Sequence, residues 1–170
     1  MKRIGIFGAS ECGKTTLAIH LSRAYWQENQ LATLALDPWL SEHRWGPQAW
    51  VTKDESIFWD AVWKRRGDLV IVDEGSSTIA RDRDLIPLFV KIRHQKHTLL
   101  VVGHDATDLL PTMRRNLNEL FLFCQPPESI KLWNQSLPGM RGLDAAAELN
   151  QFEFVHCENF STAQRKRLKL

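Results

Sequence analysis

The sequence predicts an α/β domain in which helices cover both faces of a mostly parallel sheet. Short apolar segments alternate along the 170-residue chain with segments that repeat their apolar residues at helical spacing. The apolar segments are continuous rather than alternating, as expected of strands that are buried on both faces. A chain that alternates strands and helices in this way forms parallel strands joined by crossover helices.

The first unit consists of a strand, a glycine-rich turn and a helix. Residues 4–7 form a buried strand, and residues 15–27 have helical spacing with Leu17, Leu21 and Tyr25 on one side. Further strands are predicted at residues 33–37, 50–52, 68–74, 98–104, 119–124 and 151–157, with helices at 52–66, 84–94 and 111–116 and a helix pair before the last strand.

The helix predicted after residue 52 carries an apolar face that is rich in tryptophan. Thr52 and Glu55 have the spacing of a capping box, which marks the start of a helix. The chain contains seven tryptophans, and those in this helix favour core or subunit contacts over a platform that stacks bases. The apolar face is formed by Phe58, Trp59, Val62 and Trp63.

Composition indicates one globular domain with a basic end. Hydrophobic residues make up 44% and charged residues 25% of the chain, which is ordinary for such a domain. We predict a single domain at residues 1–160 and a basic tail at residues 161–170. Such a tail is expected to be solvated and mobile, the alternative being a contact with a nucleic-acid backbone. Its basic residues are Arg165, Lys166, Arg167 and Lys169.

The cysteines and the hydropathy favour a reducing compartment without membrane insertion. The three cysteines form no C-x-x-C pair and no cluster with histidine at metal-ligand spacing, so neither a disulfide framework nor structural zinc is expected. No apolar run approaches the ~20 residues that a membrane span requires, and the chain opens on a strand rather than a signal peptide. We therefore predict a cytoplasmic protein.

Residues 8–15, GASECGKT, match the phosphate-loop pattern G-x-x-x-x-G-K-[ST] between a strand and a helix. A turn in this position points backbone N–H groups and a helix N-terminus at an anion. Lys14 is expected at the β- and γ-phosphates and the Thr15 hydroxyl on Mg²⁺. The same N–H groups are expected to lower the pKa of the Cys12 thiol. The predicted nucleotide-binding residues are Gly8, Ala9, Ser10, Glu11, Cys12, Gly13, Lys14, Thr15 and Thr16.

An acidic pair ends the strand predicted at residues 68–74. Asp73 and Glu74 follow four apolar residues there, at the end of a parallel strand where ligands bind. Asp73 is expected to share the metal site with Thr15 by contacting a water molecule bound to Mg²⁺, and Glu74 to act as the general base that orients and deprotonates the attacking water. The alternative is a pair that only caps the next helix. A hydrolytic base disfavours a kinase, and no N-K-x-D stretch indicates guanine specificity, so ATP hydrolysis is predicted.

Other side chains are candidates for contact with the γ-phosphate. His104 ends the strand TLLVVGH and is expected to act as a sensor, the alternative being a structural role. Hydrolysis also needs positive charge at the transition state, which an arginine finger commonly supplies in cis or from a neighbouring subunit. The candidate fingers are Arg93 in KIRHQKH and Arg114 or Arg115 in PTMRRN.

The order of these motifs resembles the FtsK–HerA superfamily of DNA-pumping ATPases. The motifs are GASECGKTT, LALDP, DLVIVDE, KIRHQKHTLLVVGH and LLPTMRRNLNELFLF, within roughly residues 1–125. Within that superfamily the sequence is most similar to the genome-packaging ATPases of tailless, membrane-containing double-stranded DNA viruses. An arginine-histidine pair before the sensor strand and an arginine-asparagine turn before an F-L-F strand recur in those enzymes.

The resemblance implies a RecA-like P-loop NTPase fold, a homomeric ring that is a hexamer, and ATP-driven translocation of double-stranded DNA. It also implies a capsid or packaging-vertex protein as a partner, and a place in the host cytoplasm or at the vertex of a virion. The family usually has glutamine where this chain has His104. The residues carried over are Lys14 and Thr15 for phosphate and Mg²⁺, Asp73 and Glu74 for the acidic pair, His104 for the sensor and Arg93 for the trans-acting arginine.

Two other classes of function remain open. One is a different enzyme, either an assembly ATPase of the filamentous-phage type, which would normally carry a membrane segment, or a small-molecule kinase, which would normally have an arginine-rich lid and lack the Asp-Glu pair. The other is a nucleotide-gated binding switch of the DNA-partition type. Its phosphate loop would normally contain an additional early lysine, and residues 9–12 contain none.

Overall fold

A computed structural model describes residues 1–39, 42–74 and 86–168 of the chain, and these residues form one eight-stranded sheet with helices on its faces. Every predicted strand is present to within a few residues, which confirms the α/β class. The strands are β1 (Arg3–Phe7), β2 (Thr33–Leu36), β3 (Ala49–Thr52), β4 (Leu69–Val72), β5 (Thr98–Gly103), β6 (Glu119–Leu122), β7 (Glu153–Glu158) and β8 (Gln164–Arg167).

The strand order is β3-β2-β4-β5-β1-β6-β7-β8. The first six strands of the chain are parallel to one another, β7 is antiparallel to β6, and β8 is antiparallel to β7. The phosphate-loop strand β1 lies in the middle of the sheet, with β5 between it and the acidic-pair strand β4. Because these three strands are parallel, their carboxyl ends meet at one edge of the sheet.

The helices connect successive strands, and their bounds differ slightly from the prediction. The helix predicted at residues 84–94 is a helix followed by a 3₁₀ turn at Ile92–Gln95, and its predicted start at Asp84 lies outside the described residues. Two more 3₁₀ segments lie at Ala106–Asp108 and Leu143–Glu148. The helices are α1 (Lys14–Asn29), α2 (Glu42–Trp45), α3 (Glu55–Lys64), α4 (Ile86–Lys91), α5 (Pro111–Asn116) and α6 (Pro127–Ser136).

Helix α3 starts differently from the prediction. The side chain of Asp54 caps it by accepting a hydrogen bond from the backbone N–H of Ile57 at 2.9 Å, and the backbone N–H of Asp54 donates to the Thr52 hydroxyl at 3.0 Å. The predicted capping box of Thr52 and Glu55 is therefore wrong, because Asp54 already satisfies the first turn. Of the predicted apolar face, Phe58 and Val62 are fully buried, whereas Trp63 is partly exposed.

The core has two layers because each strand presents alternate side chains to opposite faces of the sheet. Along β1, Phe7 enters the layer that also contains α3, α5 and α6, while Ile4 and Ile6 enter the layer beneath α1. Among the described helices none is long and apolar enough to cross a membrane.

The basic end of the chain is part of the sheet. Strand β8 pairs antiparallel with β7, and Lys166 donates to His156 Nδ1 at 3.0 Å while Arg165 forms a 2.6 Å ion pair with Glu153. The backbone N–H of Leu168 donates to the carbonyl of Phe152 at 2.8 Å. The predicted mobile tail is therefore wrong for residues 161–168, because backbone pairing holds this segment against the domain.

Candidate nucleotide site

Two glycines shape the loop that joins β1 to α1. Gly13 has a φ of 104°, in the left-handed region, and occupies the N-cap of α1, a conformation that glycine adopts without steric cost. A Cβ at Gly8 would lie 2.5 Å from the Cβ of Phe123. The two glycines of the motif are thus required by backbone geometry and by close packing, as a phosphate-binding turn needs.

Lys14 begins α1 and lies over this loop. The residue is buried, with an exposure of 7%, and its Nζ donates to the carbonyl of Ala9 at 2.7 Å. An anion bound by the loop N–H groups would compete with that carbonyl for the ammonium group. The arrangement therefore allows Lys14 to contact a phosphate in the loop.

Asp73 is joined to Thr15 across the site. The Thr15 hydroxyl donates to Asp73 Oδ2 at 2.9 Å, and Asp73 is 2% exposed. Burial raises the pKa of the Asp73 carboxyl to about 6, and the nearby charges of Asp37 and Glu74 act in the same direction. The Thr15 hydroxyl and the Asp73 carboxylate are hard oxygen donors of the kind that Mg²⁺ prefers. Burial destabilises the charged carboxylate, so a bound cation would stabilise it.

Glu74 follows Asp73 in a turn with unusual backbone geometry. Its φ of 52° lies in the left-handed region, which costs a non-glycine residue about 1–2 kcal/mol. Its backbone N–H donates to Asp73 Oδ1 at 3.0 Å, and its side chain lines the cavity described below. Such local strain clusters at functional sites, and here the turn brings the carboxylate beside the phosphate loop.

His104 faces Glu74 from the neighbouring strand. Its Nε2 lies 3.5 Å from Glu74 Oε2, and both its backbone groups are held: its N–H donates to Asp108 Oδ2 at 2.6 Å, and its carbonyl accepts from Gln125 Nε2 at 2.9 Å. Gln125 is itself buried and accepts from the Ser129 hydroxyl at 2.6 Å. These contacts fix the main chain of His104. The supporting side chains were not predicted: Asp108 is close to His104 in sequence, whereas Gln125 approaches it only because β6 and β5 flank β1 in the sheet.

A cavity of about 430 Å³ unites these residues. It contains most of the predicted site, but Gly8, Ala9 and Cys12 do not line it, and Asp73 takes part through its bond to Thr15. Two lining residues, Arg44 and Phe152, were missed because neither belongs to a recognised motif. The lining residues are Ser10, Glu11, Gly13, Lys14, Thr15, Thr16, Arg44, Glu74, His104 and Phe152.

Cys12 lies in the loop but is buried, with an exposure of 7%. Burial raises the pKa of its thiol, and the charge of Lys14 only partly opposes that effect. The expectation of a lowered pKa is therefore wrong, because the side chain points into the core beneath α1 rather than into the nest of N–H groups.

The candidate arginine fingers occupy different environments. Arg114 is buried, and its guanidinium donates to the carbonyls of Ala106 at 2.7 Å and Leu109 at 2.6 Å. It is therefore a structural residue and not available as a finger. Arg93 and Arg115 are exposed. Arg93 precedes β5, whose six residues separate it from the cavity by roughly 20 Å, so it does not reach the site of its own subunit.

The fold is shared with solved P-loop proteins. The genome packaging NTPase B204 from Sulfolobus turreted icosahedral virus 2, solved with AMPPCP, matches with a TM-score of 0.77 and 15% identity over 98% of each chain. The N-terminal domain of zonular occludens toxin from Neisseria meningitidis matches with a TM-score of 0.58 and 13% identity over 100% of this chain and 95% of that one.

A third match is the cytoplasmic domain of the type VII secretion ATPase EccC from Thermomonospora curvata, with a TM-score of 0.70 and 10% identity over 98% of this chain and 23% of that one. No protein-family model and no curated protein matches the sequence. These likenesses confirm the RecA-like P-loop NTPase fold. The resemblance to packaging ATPases that the motifs indicated is thereby confirmed for the fold.

Proposed function

We propose that the protein is an ATP-hydrolysing motor that translocates double-stranded DNA and packages a viral genome into a preformed capsid. The observation that carries the proposal is the convergence of a phosphate loop, an acidic pair and a histidine at the ends of β1, β4 and β5. The fold is that of a packaging NTPase over almost the full length of both chains, which supports the choice of this motor among P-loop ATPases.

The chemistry follows from the positions of the side chains. The loop N–H groups and Lys14 would bind the β- and γ-phosphates, and Thr15 with Asp73 would hold Mg²⁺, which would supply positive charge at the phosphate oxygens. Glu74 accepts a proton from the attacking water, and His104, 3.5 Å away, keeps that carboxylate oriented towards the γ-phosphate. A carboxylate placed to activate water favours hydrolysis over transfer to another substrate, which argues against the kinase alternative.

The assembly part of the proposal is a homomeric ring, a hexamer, around duplex DNA, with a capsid or vertex protein as its docking partner. Exposed Arg93 precedes β5 and therefore lies at the amino ends of the parallel strands, opposite the cavity at their carboxyl ends. In a head-to-tail ring this edge is available to a neighbour, so Arg93 would complete the neighbour's site. The basic side chains of β8 are a candidate for contact with DNA phosphates.

The test of the motor is ATP hydrolysis with and without duplex DNA, alongside the mass of the protein in solution with each nucleotide. We expect duplex DNA to stimulate phosphate release and the purified protein to displace the third strand of a DNA triplex in an ATP-dependent way. Glu74→Gln is the inactive control. Hydrolysis that is indifferent to DNA, from a monomer at every concentration, would contradict the motor and favour another P-loop enzyme.

The trans role of Arg93 is tested by mixing two inactive variants. Arg93→Ala should bind ATP but hydrolyse it slowly, and mixing it with Glu74→Gln should restore part of the activity. Some interfaces then combine an intact Glu74 with an intact Arg93 from the adjacent subunit. No recovery in assemblies shown to contain both proteins would remove Arg93 from this role and make Arg115 the next candidate.

A further inference from the structure

The cavity contains an arginine that none of the sequence motifs includes. Arg44, on α2, lines it together with Lys14, Thr15, Glu74 and His104. We propose that Arg44 is a further catalytic residue of this site, contacting the terminal phosphate of a bound nucleoside triphosphate in cis. The inference rests on the proposed ATP hydrolysis and specifies which residue of the same subunit neutralises the terminal phosphate.

The backbone of Arg44 is anchored by the residues around it. The next residue, Trp45, is fully buried, and its indole N–H donates to Asp37 Oδ2 at 3.0 Å. The carbonyl of Trp45 accepts from Gln48 Nε2 at 2.7 Å, and the carbonyl of Arg44 itself accepts from the guanidinium of Arg23 on α1 at 3.0 Å. A short helix held at these points places the exposed Arg44 at the wall of the cavity rather than on an unanchored loop.

The sheet order shows which end of the cavity Arg44 occupies. Its helix follows β2, which lies beside the acidic-pair strand β4, whereas Phe152 precedes β7, on the other side of β1. The cavity therefore extends from Phe152 at one end to Arg44 at the other. Glu74 and His104, the groups that act on the attacking water, follow strands on the Arg44 side. Arg44 is thus placed near the terminal phosphate of a bound nucleotide and away from the nucleotide's adenine ring.

The charges at this end call for an additional cation. Of the described residues that line the cavity, Lys14 and Arg44 carry permanent positive charge, while Glu11 and Glu74 are acidic. Buried Asp73 lies behind Thr15, so the terminal phosphate would approach two carboxylates. A guanidinium presents planar N–H donors that match phosphate oxygens and remains charged at all relevant pH values. Arg44 can therefore offset the repulsion that Asp73 and Glu74 exert on the phosphate.

The first experiment compares steady-state hydrolysis by wild type, Arg44→Ala, Arg44→Lys and the control Arg66→Ala. Arg66 is an exposed arginine outside the cavity, and its Nε donates to Gln95 Oε1 at 3.1 Å. We expect Arg44→Ala to lower kcat by about 10²-fold or more, as loss of a transition-state donor does, and Arg44→Lys to lower it less. A kcat for Arg44→Ala equal to that of Arg66→Ala would overturn the inference.

Binding separates this inference from the proposed function. Arg44→Ala should weaken the affinity for a non-hydrolysable ATP analogue and leave that for ADP unchanged, since ADP lacks the terminal phosphate. If wild type failed to hydrolyse ATP, the proposed function would fail, but this comparison would still test Arg44. Equal weakening for both nucleotides, or for neither, would overturn the assignment to the terminal phosphate.

Mixing distinguishes a cis from a trans arginine. If Arg44 acts in cis, Arg44→Ala and Glu74→Gln each inactivate the site of the subunit that carries the substitution. No subunit in a mixed assembly then has both groups, so verified co-assemblies of the two variants should stay inactive. Recovery of activity in that mixture would show that Arg44 serves a neighbour and would contradict the inference.

Discussion

Thr15 and Asp73 are joined by a 2.9 Å hydrogen bond from the threonine hydroxyl to Asp73 Oδ2, which connects the first turn of α1 to the end of β4. The bond places two potential Mg²⁺ ligands side by side before any ion binds. The bond by itself lowers the pKa of the Asp73 carboxyl. Burial and the charges of Asp37 and Glu74 outweigh that effect and raise the pKa to about 6.

The raised pKa of Asp73 makes stability depend on pH. Between the model-peptide value of 3.8 and about 6, the folded protein binds more protons at this group than the unfolded chain does, so stability falls as pH rises through that window. The full penalty, present above pH 6, is roughly 3 kcal/mol. We expect Asp73→Asn to raise the free energy of unfolding at pH 8 without divalent cation and to change it little near pH 4. Urea denaturation at both pH values measures this.

A matched control for that measurement is Asp60→Asn, which removes an exposed carboxylate paired with Lys64. It should change stability little at either pH. An equal gain for Asp73→Asn at pH 4 and pH 8 would mean that the effect comes from packing and not from ionisation.

Mg²⁺ should relieve the penalty at Asp73. We expect Mg²⁺ at pH 8 to raise the melting temperature of the wild type, because a ligand that binds only the folded state stabilises it. The rise should be smaller in Asp73→Asn and in Thr15→Ala. Calorimetric scans with Mg²⁺ and with a chelator provide the comparison, and the same shift in all three proteins would place the ion elsewhere.

Lys14 and Glu74 should separate nucleotide binding from turnover. Lys14→Ala removes the ammonium group over the loop and should abolish binding of a fluorescent ATP analogue. Glu74→Gln should bind the analogue normally but lose about 10²–10⁴-fold in rate, as expected on removal of a general base. Phosphate release and fluorescence titration measure the two effects. Wild-type turnover by Glu74→Gln would show that another group activates the water.

His104 is expected to act through its position beside Glu74. His104→Ala should lower kcat more than it changes KM, while His104→Gln should retain more activity because an amide can still hydrogen-bond across the 3.5 Å gap. The control is His94→Ala, an exposed histidine in the 3₁₀ turn before β5. Identical kinetics for His104→Ala and the control would leave His104 a structural role.

Thiol labelling should follow burial. Cys124 is exposed, whereas Cys12 and Cys157 are buried, and burial raises the pKa of Cys12. A thiol reagent should therefore modify one cysteine quickly, and Cys124→Ser should lose that fast phase. Mass spectrometry of peptides identifies the modified residue. Fast labelling of Cys12 in the folded protein would mean that its thiol faces the phosphate loop after all.

Local sequence patterns were sufficient for the motif residues and for most of the elements, although not for α2 or β8. Continuous apolar runs located the strands because a strand buried on both faces excludes polar side chains along its whole length. The phosphate loop was recognisable because its glycines, lysine and threonine lie within eight residues and Gly13 needs a left-handed backbone, whereas the close approach of Gly8 to Phe123 depends on the fold. The start of α3 was misplaced because the Thr52–Glu55 spacing indicated Thr52 as the N-cap, whereas the side chain of Asp54 caps the helix.

The sequence by itself determined the α/β class, the phosphate loop, the acidic pair and the histidine, since each follows from residues that are close along the chain. The tertiary structure alone decided that Arg44 and Phe152 line the cavity and that the basic end of the chain forms β8. It also decided that the guanidinium of Arg114 is hydrogen-bonded to the carbonyls of Ala106 and Leu109. Strand order and burial are set by contacts between distant segments. Such contacts determine which charged side chains remain available and which are satisfied within the fold.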